Sequence, residues 1–273
     1  MPAGKDDKVI LQKFISGGLA GACSRTLVAP LDRIKILLQT TNERGDMKTM
    51  FRNIVRKEGV LKLWKGNALN CIRIVPYSAL QFGTYENCKN RISVSGEMTV
   101  PQRLGCGTLA GLVAASFTHP IDVIRHRIML ESSSVSAYNV TTTLLREKGI
   151  RGLFKGYGST TISLTPFVAV NFCAFDTMKS MSDVKSSTGI LALGAASALI
   201  SQTICYPLDT IRRRMQVPDG GYKNGLDALL KILRNEGVRR LYSGLTANAL
   251  KIVPNNSIRF LVYHKVTESI FKD

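Results

Sequence analysis

One charged motif, Pro-x-Asp-x-x-(Lys/Arg), occurs three times in this chain of 273 residues, at intervals of 90 and 87 residues. Its copies occupy residues 30–35, 120–125 and 207–212. Each copy puts a helix-breaking proline, an acid and a base into an otherwise apolar stretch, where an unpaired charge is costly. If the three copies surround one axis, each acid faces the base of its neighbour. Such a ring of pairs can open or close a central passage.

Other features repeat in step with this motif. Two small residues precede each proline, thirteen and nine positions earlier, as Gly17 and Gly21, Gly107 and Gly111, and Gly194 and Ala198. Small residues at this spacing let membrane helices approach closely. Each motif is followed by an aromatic-x-Gly step and a second proline, namely Trp64 to Gly66 with Pro76, Phe154 to Gly156 with Pro166, and Tyr242 to Gly244 with Pro254. We therefore predict three repeats, at residues 1–96, 97–185 and 186–273.

The hydrophobic pattern predicts two long helices in each repeat. Six long segments lie near residues 8–40, 67–92, 100–130, 157–181, 187–216 and 245–271. Each exceeds the roughly 20 residues that cross a hydrocarbon core. The polar middle of each repeat has apolar residues at helical spacing, at roughly residues 47–57, 138–148 and 223–235, which is typical of an amphipathic helix at a membrane surface.

A soluble helical protein is the alternative, because the mean hydropathy of the chain is just +0.06. Against it, five charged residues fall inside otherwise apolar helices: Arg25, Asp32, Arg73, Asp122 and Asp209. Charges in such positions suit a water-filled interior better than a dry core. We therefore favour an all-α membrane protein.

Composition and motifs exclude other classes of protein. The 37 basic residues outnumber the 19 acidic ones, giving a net charge of +18, so a nucleic-acid-binding protein has to be considered. The bases are dispersed over the chain, and no nucleic-acid-binding motif is present, so we expect no nucleic-acid partner. The six cysteines and three histidines lack metal-site spacing, and no catalytic motif occurs, so no enzymatic activity, metal or cofactor is expected. A positive interior would attract an anionic solute.

Positions that differ between the repeats are candidates for recognising an asymmetric solute. Three residues before the second prolines stand Arg73, Ser163 and Lys251, and six before them stand Asn70, Thr160 and Asn248. Arg25 lies five residues before the first proline, where the other repeats have Ala115 and Gln202. The cluster of Arg25, Arg73 and Lys251 suits a di- or triphosphate. Opposite it, Ser163, Leu164 and Phe167 offer apolar and stacking contacts for a base.

These motifs resemble the mitochondrial carrier family over essentially the whole chain. The resemblance implies six transmembrane helices in three pseudo-symmetric two-helix repeats, each with a short amphipathic matrix-side helix. It further implies a monomeric antiporter that works by alternating access. The expected location is the mitochondrial inner membrane, with a plastid envelope or thylakoid as the alternative. Membrane lipid is an expected partner, with cardiolipin at the matrix-side helices.

The resemblance also implies two gates. The matrix gate pairs Asp32 with Arg125, Asp122 with Arg212, and Asp209 with Lys35. A glutamine nine residues past the proline braces such pairs; Gln39 and Gln216 match it, and Met129 does not. The cytosolic gate resembles (Phe/Tyr)-(Asp/Glu)-x-x-(Lys/Arg), matched by Tyr85, Glu86 and Lys89 and by Phe175, Asp176 and Lys179. The third copy, at residues 263–267, lacks the acid and the final base.

Within the family, the chain resembles the adenine-nucleotide branch. Arg25, Arg73 and Lys251 match positions that bind phosphate in ADP/ATP carriers, and residues 212–215 resemble most of their arginine-rich signature. Several segments look most like plastid ADP/ATP and phosphoadenosine-phosphosulfate carriers. The expected substrate is an anionic adenine nucleotide. A coenzyme A or ATP-magnesium/phosphate carrier shares the same cations and remains the alternative, because Ser163 and Leu164 differ from the Gly-Ile found in many nucleotide carriers.

Overall fold

The long helices lie where the hydrophobic pattern predicts them. The computed structural model describes residues 3–41, 46–92, 98–131, 135–182, 186–217 and 221–271. The six long helices are α1 (Ala3–Thr40), α3 (Asn67–Ile92), α4 (Val100–Leu130), α6 (Tyr157–Ser180), α7 (Ser187–Gln216) and α9 (Leu245–Phe271). Three shorter helices connect them in pairs, α2 (Met47–Lys57), α5 (Ala137–Leu153) and α8 (Gly225–Asn235). The prediction of an all-α fold is confirmed.

Two boundaries differ from the prediction. Helix α1 begins at Ala3, earlier than the apolar pattern indicates. Helix α5 continues to Leu153 across a kink, because Gly149 has non-helical backbone angles (φ 61°, ψ −160°). In the other two repeats a short 3-10 turn follows the connecting helix instead, at Val60–Trp64 and Val238–Tyr242.

The six long helices form a closed ring. Within a repeat, α1 packs on α3, α4 on α6 and α7 on α9. Between repeats, α3 packs on α4, α6 on α7, and α9 returns to α1. The ends of α1, α4 and α7 that follow their prolines, together with the connecting helices, form what we call the motif end of the ring.

Close helix contact uses one small residue of each predicted pair in the first two repeats. A side chain at Gly21 would meet Ile74 at 3.4 Å, and one at Gly111 would meet Leu164 at 3.1 Å. Gly17, Gly107 and Gly194 have no such neighbour within 4 Å. The tight approach therefore occurs nearer the prolines than the full pattern predicts.

The glycine of each aromatic-x-Gly step is required by its backbone and by its neighbour. Gly66, Gly156 and Gly244 have φ angles of 77°, 75° and 82°, in the region that glycine adopts most readily. A Cβ atom at Gly66 would lie 3.0 Å from Met129, and one at Gly156 would lie 3.0 Å from Gln216. These steps thus seat the starts of α3, α6 and α9 against the motif end of the next repeat. We call these three helices, each the second long helix of its repeat, the even helices.

Each connecting helix buries one apolar face, and the cluster of the first repeat also includes Ala247 of α9. The three clusters are Ile34, Leu37, Leu38, Met50, Ile54, Leu63 and Ala247; Val123, Ile128, Val140 and Leu144; and Ile211, Ala228, Ile232 and Leu241. The opposite faces keep apolar residues exposed, among them Phe51 on α2 and Leu226 on α8. That pattern matches the predicted amphipathic helices at a membrane surface.

An ion pair ties the connecting segment to the long helix in each repeat, with unequal quality. The buried Arg33 lies 2.7 Å from Glu58. The buried Arg214 donates to both carboxylate oxygens of Glu236, one of them at 2.7 Å. In the middle repeat Lys148 replaces the acid, and Arg127 instead lies 3.5 Å from the half-exposed Glu147.

The hydrogen bonds from Arg214 lower the pKa of Glu236 below its ordinary value. A depressed carboxyl pKa means that the folded state favours the charged form. The stability that this pair contributes is therefore present at neutral pH and is lost as the pH falls through the lowered pKa.

We predict that Glu236→Gln lowers the free energy of unfolding by about 2 kcal/mol, because the buried Arg214 loses its charged acceptor. The matched control is Glu147→Gln, for which we expect under about 1 kcal/mol because that pair is long and exposed. Thermal unfolding of both variants in detergent provides the measurement. Equal effects would contradict the ranking of the two pairs.

Candidate functional site

The three motif acids and bases meet at the motif end. Asp32 Oδ2 lies 3.1 Å from Arg125 Nη2, Asp122 Oδ2 lies 3.4 Å from Arg212 Nη2, and Asp209 Oδ2 lies 2.7 Å from Lys35 Nζ. Each pair joins two different repeats, and the three together link α1, α4 and α7. We call these six residues the acid–base ring.

Each acid of the ring also contacts a second cation. Lys251 Nζ lies 2.6 Å from Asp32, and Arg73 Nε lies 3.1 Å from Asp122. Both cations come from the even helix of the preceding repeat. The position equivalent to them next to Asp209 is Ser163, which carries no charge. Asp209 instead has Arg213 of its own helix at 3.6 Å.

The three acids are largely withdrawn from solvent. Their side chains are at most 17% exposed. Because desolvating a carboxylate costs several kcal/mol, two cations per acid offset what one pair alone would leave uncompensated.

The two predicted bracing glutamines differ in their contacts. Gln39 donates to Asp209 at 3.3 Å and to Thr210 at 3.2 Å. Gln216 is buried, yet its side-chain amide makes no hydrogen bond to a described residue. The expectation that Gln216 braces an ion pair is thus wrong for this conformation. Its Cγ packs against Gly156 instead, as Met129 packs against Gly66 in the preceding repeat.

Two buried asparagines connect the candidate substrate positions to nearby bases. Asn70 accepts a hydrogen bond from Arg25 at 2.8 Å, and Asn248 accepts one from Lys35 at 2.9 Å. The Nδ2 groups of both amides are buried and have no acceptor among the described residues. The carboxamides thereby direct their oxygens to cations and keep N–H donors for another acceptor.

Arg73 has an aromatic neighbour that the sequence analysis missed. Its guanidinium lies 4.9 Å from the ring centre of Tyr77, one helical turn further along α3. Tyr77 and Phe167 occupy the same position of successive repeats, immediately after the second proline. That shared register is the signal that would have identified Tyr77.

The structure separates the three residues predicted to hold a base. Ser163 is buried and donates to the carbonyl of Thr160 at 3.0 Å. Phe167 is half-buried on the same helix. Leu164, however, packs on Gly111 of α4, as Ile74 packs on Gly21 in the first repeat. Because this contact repeats, it belongs to the helix packing, and a contact of Leu164 with a base stays a prediction.

A buried histidine adjoins the ring and was also missed. His126 Nε2 contacts Arg213 Nη1, and its neighbour in sequence is the ring base Arg125. In the sequence its spacing resembles no known site, so nothing there signals this contact.

The opposite end of the ring shows a different arrangement. Glu86 and Lys89 lie 3.9 Å apart on one helix, α3. On α6, Asp176 and Lys179 are exposed. The aromatic residues of the two motifs, Tyr85 on α3 and Phe175 on α6, are half-buried. The side chains at 263, 264 and 267, in the third copy, lie outside the described residues. The described bundle is thus tied by inter-repeat ion pairs at its motif end.

Two of the long helices, α4 and α6, are apolar and long enough by composition to cross a membrane, within the described part of the chain. Interior charges such as Arg73 on α3, Asp209 on α7 and Lys251 on α9 lower the mean hydropathy of the other long helices. Charges that face the interior of a bundle lower the mean hydropathy of a helix without exposing it to water on its outer face.

Known proteins are similar in sequence to this chain over almost its whole length. A family model described as mitochondrial carrier protein matches three times, at residues 6–95, 96–186 and 183–273. The thylakoid ADP,ATP carrier protein of Arabidopsis thaliana is 38% identical over 94% of this chain, which spans 65% of that protein's length. The mitochondrial adenine nucleotide transporter of the same plant is 35% identical over 96% of the chain and 87% of its own length. A mitochondrial coenzyme A transporter of Homo sapiens is 37% identical over 90% and 84%, respectively.

Members of this family are transporters and not enzymes. The family model matches three times in tandem, and the structure has a ring of six long helices with the acid–base motif repeated around it. The chain therefore belongs to the mitochondrial carrier family.

Proposed function

We propose that this protein exchanges adenine nucleotides across an organelle inner membrane by alternating access. The mitochondrion is the first candidate organelle and a plastid membrane the second. The observation that carries the proposal is the unsymmetrical set of Arg25, Arg73 and Lys251. Among them, these cations offer the charge and the planar donor forks that phosphate groups require.

The neutral groups around these cations support the same substrate class. The buried Nδ2 donors of Asn70 and Asn248 lie at the level of the cations and have no described acceptor. Phosphate oxygens are acceptors without donors, so they complement both the amides and the cations. An aromatic ring at Phe167 supplies the stacking surface that a purine needs.

The contacts of the cations suggest how binding is coupled to gating. Arg73 forms an ion pair with Asp122, and Lys251 forms one with Asp32. Both cations therefore stabilise the acid–base ring in this conformation. A phosphate that attracts both cations would draw them away from these acids. The closed state loses part of its stabilisation at the moment that substrate binds, as a transporter with two nearly balanced states requires.

Coenzyme A is the second candidate substrate. A relative named as a coenzyme A transporter is as similar to this chain as the nucleotide transporters are. Exchange of labelled ADP in liposomes, against internal ADP, ATP, phosphoadenosine phosphosulfate, coenzyme A or phosphate, ranks the candidates. Uptake without any internal nucleotide would contradict the proposed antiport.

We predict that Arg73→Ala reduces ADP exchange at least about tenfold, because a charge-assisted contact to phosphate is lost. Arg73→Lys should recover part of the activity, since it retains the charge and loses the fork. The control is Arg91→Ala, which removes an exposed base at the end of the same helix. Stabilisation of each purified variant by ADP checks binding separately from transport. Wild-type stabilisation of Arg73→Ala by ADP would contradict the assignment.

For the base, we predict that Phe167→Ala weakens ADP binding about tenfold and leaves pyrophosphate binding nearly unchanged, because stacking acts on the base alone. Tyr77→Ala is the matched control at the equivalent position. It should weaken both ligands, because Tyr77 contacts Arg73. Competition against labelled ADP measures both affinities. Equal losses for the two ligands in Phe167→Ala would assign this ring to packing.

A test of the proposed matrix gate must take account of the second cation on each acid, such as Arg73 on Asp122. The reversal Asp122→Arg with Arg212→Asp would place a new base beside Arg73, so it is a poor rescue experiment. Neutral substitutions avoid this clash.

We therefore predict that Asp122→Asn and Arg212→Gln each reduce the exchange rate at least about tenfold. The double variant should lose less activity than the product of the two single fold-losses. Residues in direct contact couple by roughly 0.5–3 kcal/mol. Asp176→Asn combined with Arg212→Gln is the control pair, and its effects should multiply because Asp176 lies near the other end of the ring. Multiplicative effects in both pairs would remove Asp122 and Arg212 from a shared gate.

A further inference from the structure

Two of the six cysteines contact each other at the end of the ring opposite the motif end. Cys88 lies near the end of α3, and Cys106 lies in the second turn of α4, the first long helix of the next repeat. Their thiols form a side-chain hydrogen bond across the α3–α4 interface. Cys106 is buried and Cys88 is half-buried. Thiols in such contact need only a small side-chain movement to reach the S–S distance of about 2.05 Å.

The surroundings of this thiol pair leave a path for a small oxidant. Glycines flank Cys106 on both sides, and a Cβ atom at Gly105 or Gly107 would meet open space among the described residues. A groove of about 460 Å³ opens beside the pair, lined by Ser78, Gln81, Phe82, Tyr85, Gly107 and Ala110. Tyr85 lies about one turn before Cys88 on α3. The groove therefore brings a small solute within about one helical turn of both cysteines.

The thiol pair occurs at one of the three interfaces between repeats. Counted from the prolines, the residues at the equivalent positions are Met178 and Leu193 for α6 and α7, and Val266 and Ser16 for α9 and α1. Neither of these combinations can form a disulfide. The fold therefore does not require two sulfurs here, in contrast to the acid–base ring, whose residues repeat three times.

The position of Cys88 connects the thiol pair to gating. Cys88 lies within the predicted cytosolic gate motif of α3, between Glu86 and Lys89, whose side chains lie 3.9 Å apart on the same helix. In alternating access this end of the ring closes when the motif end opens, so Glu86 and Lys89 have to move towards the other repeats. A bond from Cys88 to Cys106 would hold this turn of α3 on α4. The gate residues would then stay apart and the acid–base ring would stay closed.

We propose that Cys88 and Cys106 form a reversible disulfide that locks the carrier with its motif end closed. The oxidant is hydrogen peroxide. The sulfur of the more exposed Cys88 attacks one peroxide oxygen and the other leaves as water, which gives a sulfenic acid. The sulfur of Cys106 then attacks the sulfur of Cys88, expels a second water and completes the disulfide. A small dithiol reverses the reaction by thiol–disulfide exchange. The lock rests on the alternating access of the proposed function, whereas the disulfide itself does not.

The first test detects the bond in the full chain, purified in detergent and treated with hydrogen peroxide. Mass spectrometry after alkylation under denaturing conditions should show that two thiols are lost, and peptide mapping should place the bond between Cys88 and Cys106. The control Cys23→Ser/Cys173→Ser removes the two exposed cysteines and should lose two thiols as wild type does. Oxidation that consumes Cys23 or Cys173 and leaves Cys88 and Cys106 as thiols would overturn the proposed site.

The second test measures ADP exchange in liposomes before peroxide, after peroxide and after dithiothreitol. We expect the exchange rate of oxidised wild type to fall at least about tenfold, because one conformation is fixed, and dithiothreitol to restore it. Cys88→Ser and Cys106→Ala should each exchange ADP at nearly the wild-type rate and resist peroxide. Inhibition of both single variants by peroxide, as strong as that of wild type, would overturn the lock.

ADP binding separates the lock from damage to the substrate site. Oxidised wild type should still be stabilised by ADP against thermal unfolding, because the disulfide leaves the motif end and its cations as they are. Loss of that stabilisation once the bond has formed would show a distorted binding site and overturn the lock. Absence of ADP exchange in the reduced protein would contradict the proposed function, and the peptide map would still support or overturn the disulfide site.

Discussion

The arrangement of this bundle depends on burying three acids and three bases at one end of a ring of helices. An isolated carboxylate in such a place would cost several kcal/mol, and a proline inside each helix adds to the difficulty. Three-fold repetition offsets the cost of the charges, because every acid pairs with the base of the next repeat. Helices α1, α4 and α7 converge at these pairs, and the glycine steps at Gly66, Gly156 and Gly244 seat the even helices against the same ends.

Departures from three-fold symmetry mark where the interior is specialised. Asp32 and Asp122 receive their second cation from the even helix of the preceding repeat, whereas Asp209 receives it from Arg213 on its own helix. The uncharged Ser163 creates that difference. Two sides of the ring thus depend on cations that an anionic solute would also attract, and the third side does not. An asymmetric solute bound within this ring would act unequally on its three pairs.

Outside the ring, the repeats differ in their surface chemistry. The middle repeat has Lys148 in place of an acid, and its ion pair moves to the exposed Glu147. The first repeat carries Lys48, Arg52 and Arg56 on α2, beside an apolar groove between α1 and α2. These differences leave the packing of each connecting helix intact, since all three bury the same kind of apolar face. Interior and surface are therefore specialised independently on one shared scaffold.

The sequence by itself determined the three repeats, the approximate extents of the six long helices and the unsymmetrical placement of Arg25, Arg73 and Lys251, because periodicity and register are properties of the chain alone. Side-chain partners required the tertiary structure. Leu164 packs on Gly111, Gln216 makes no side-chain hydrogen bond to a described residue, Tyr77 lies beside Arg73, and His126 contacts Arg213. A single residue's contacts depend on the rotation and tilt of its helix after the proline, and packing against the neighbouring repeats sets both. For the same reason the groove beside α2 was not foreseeable, since it forms where two elements leave a space between them.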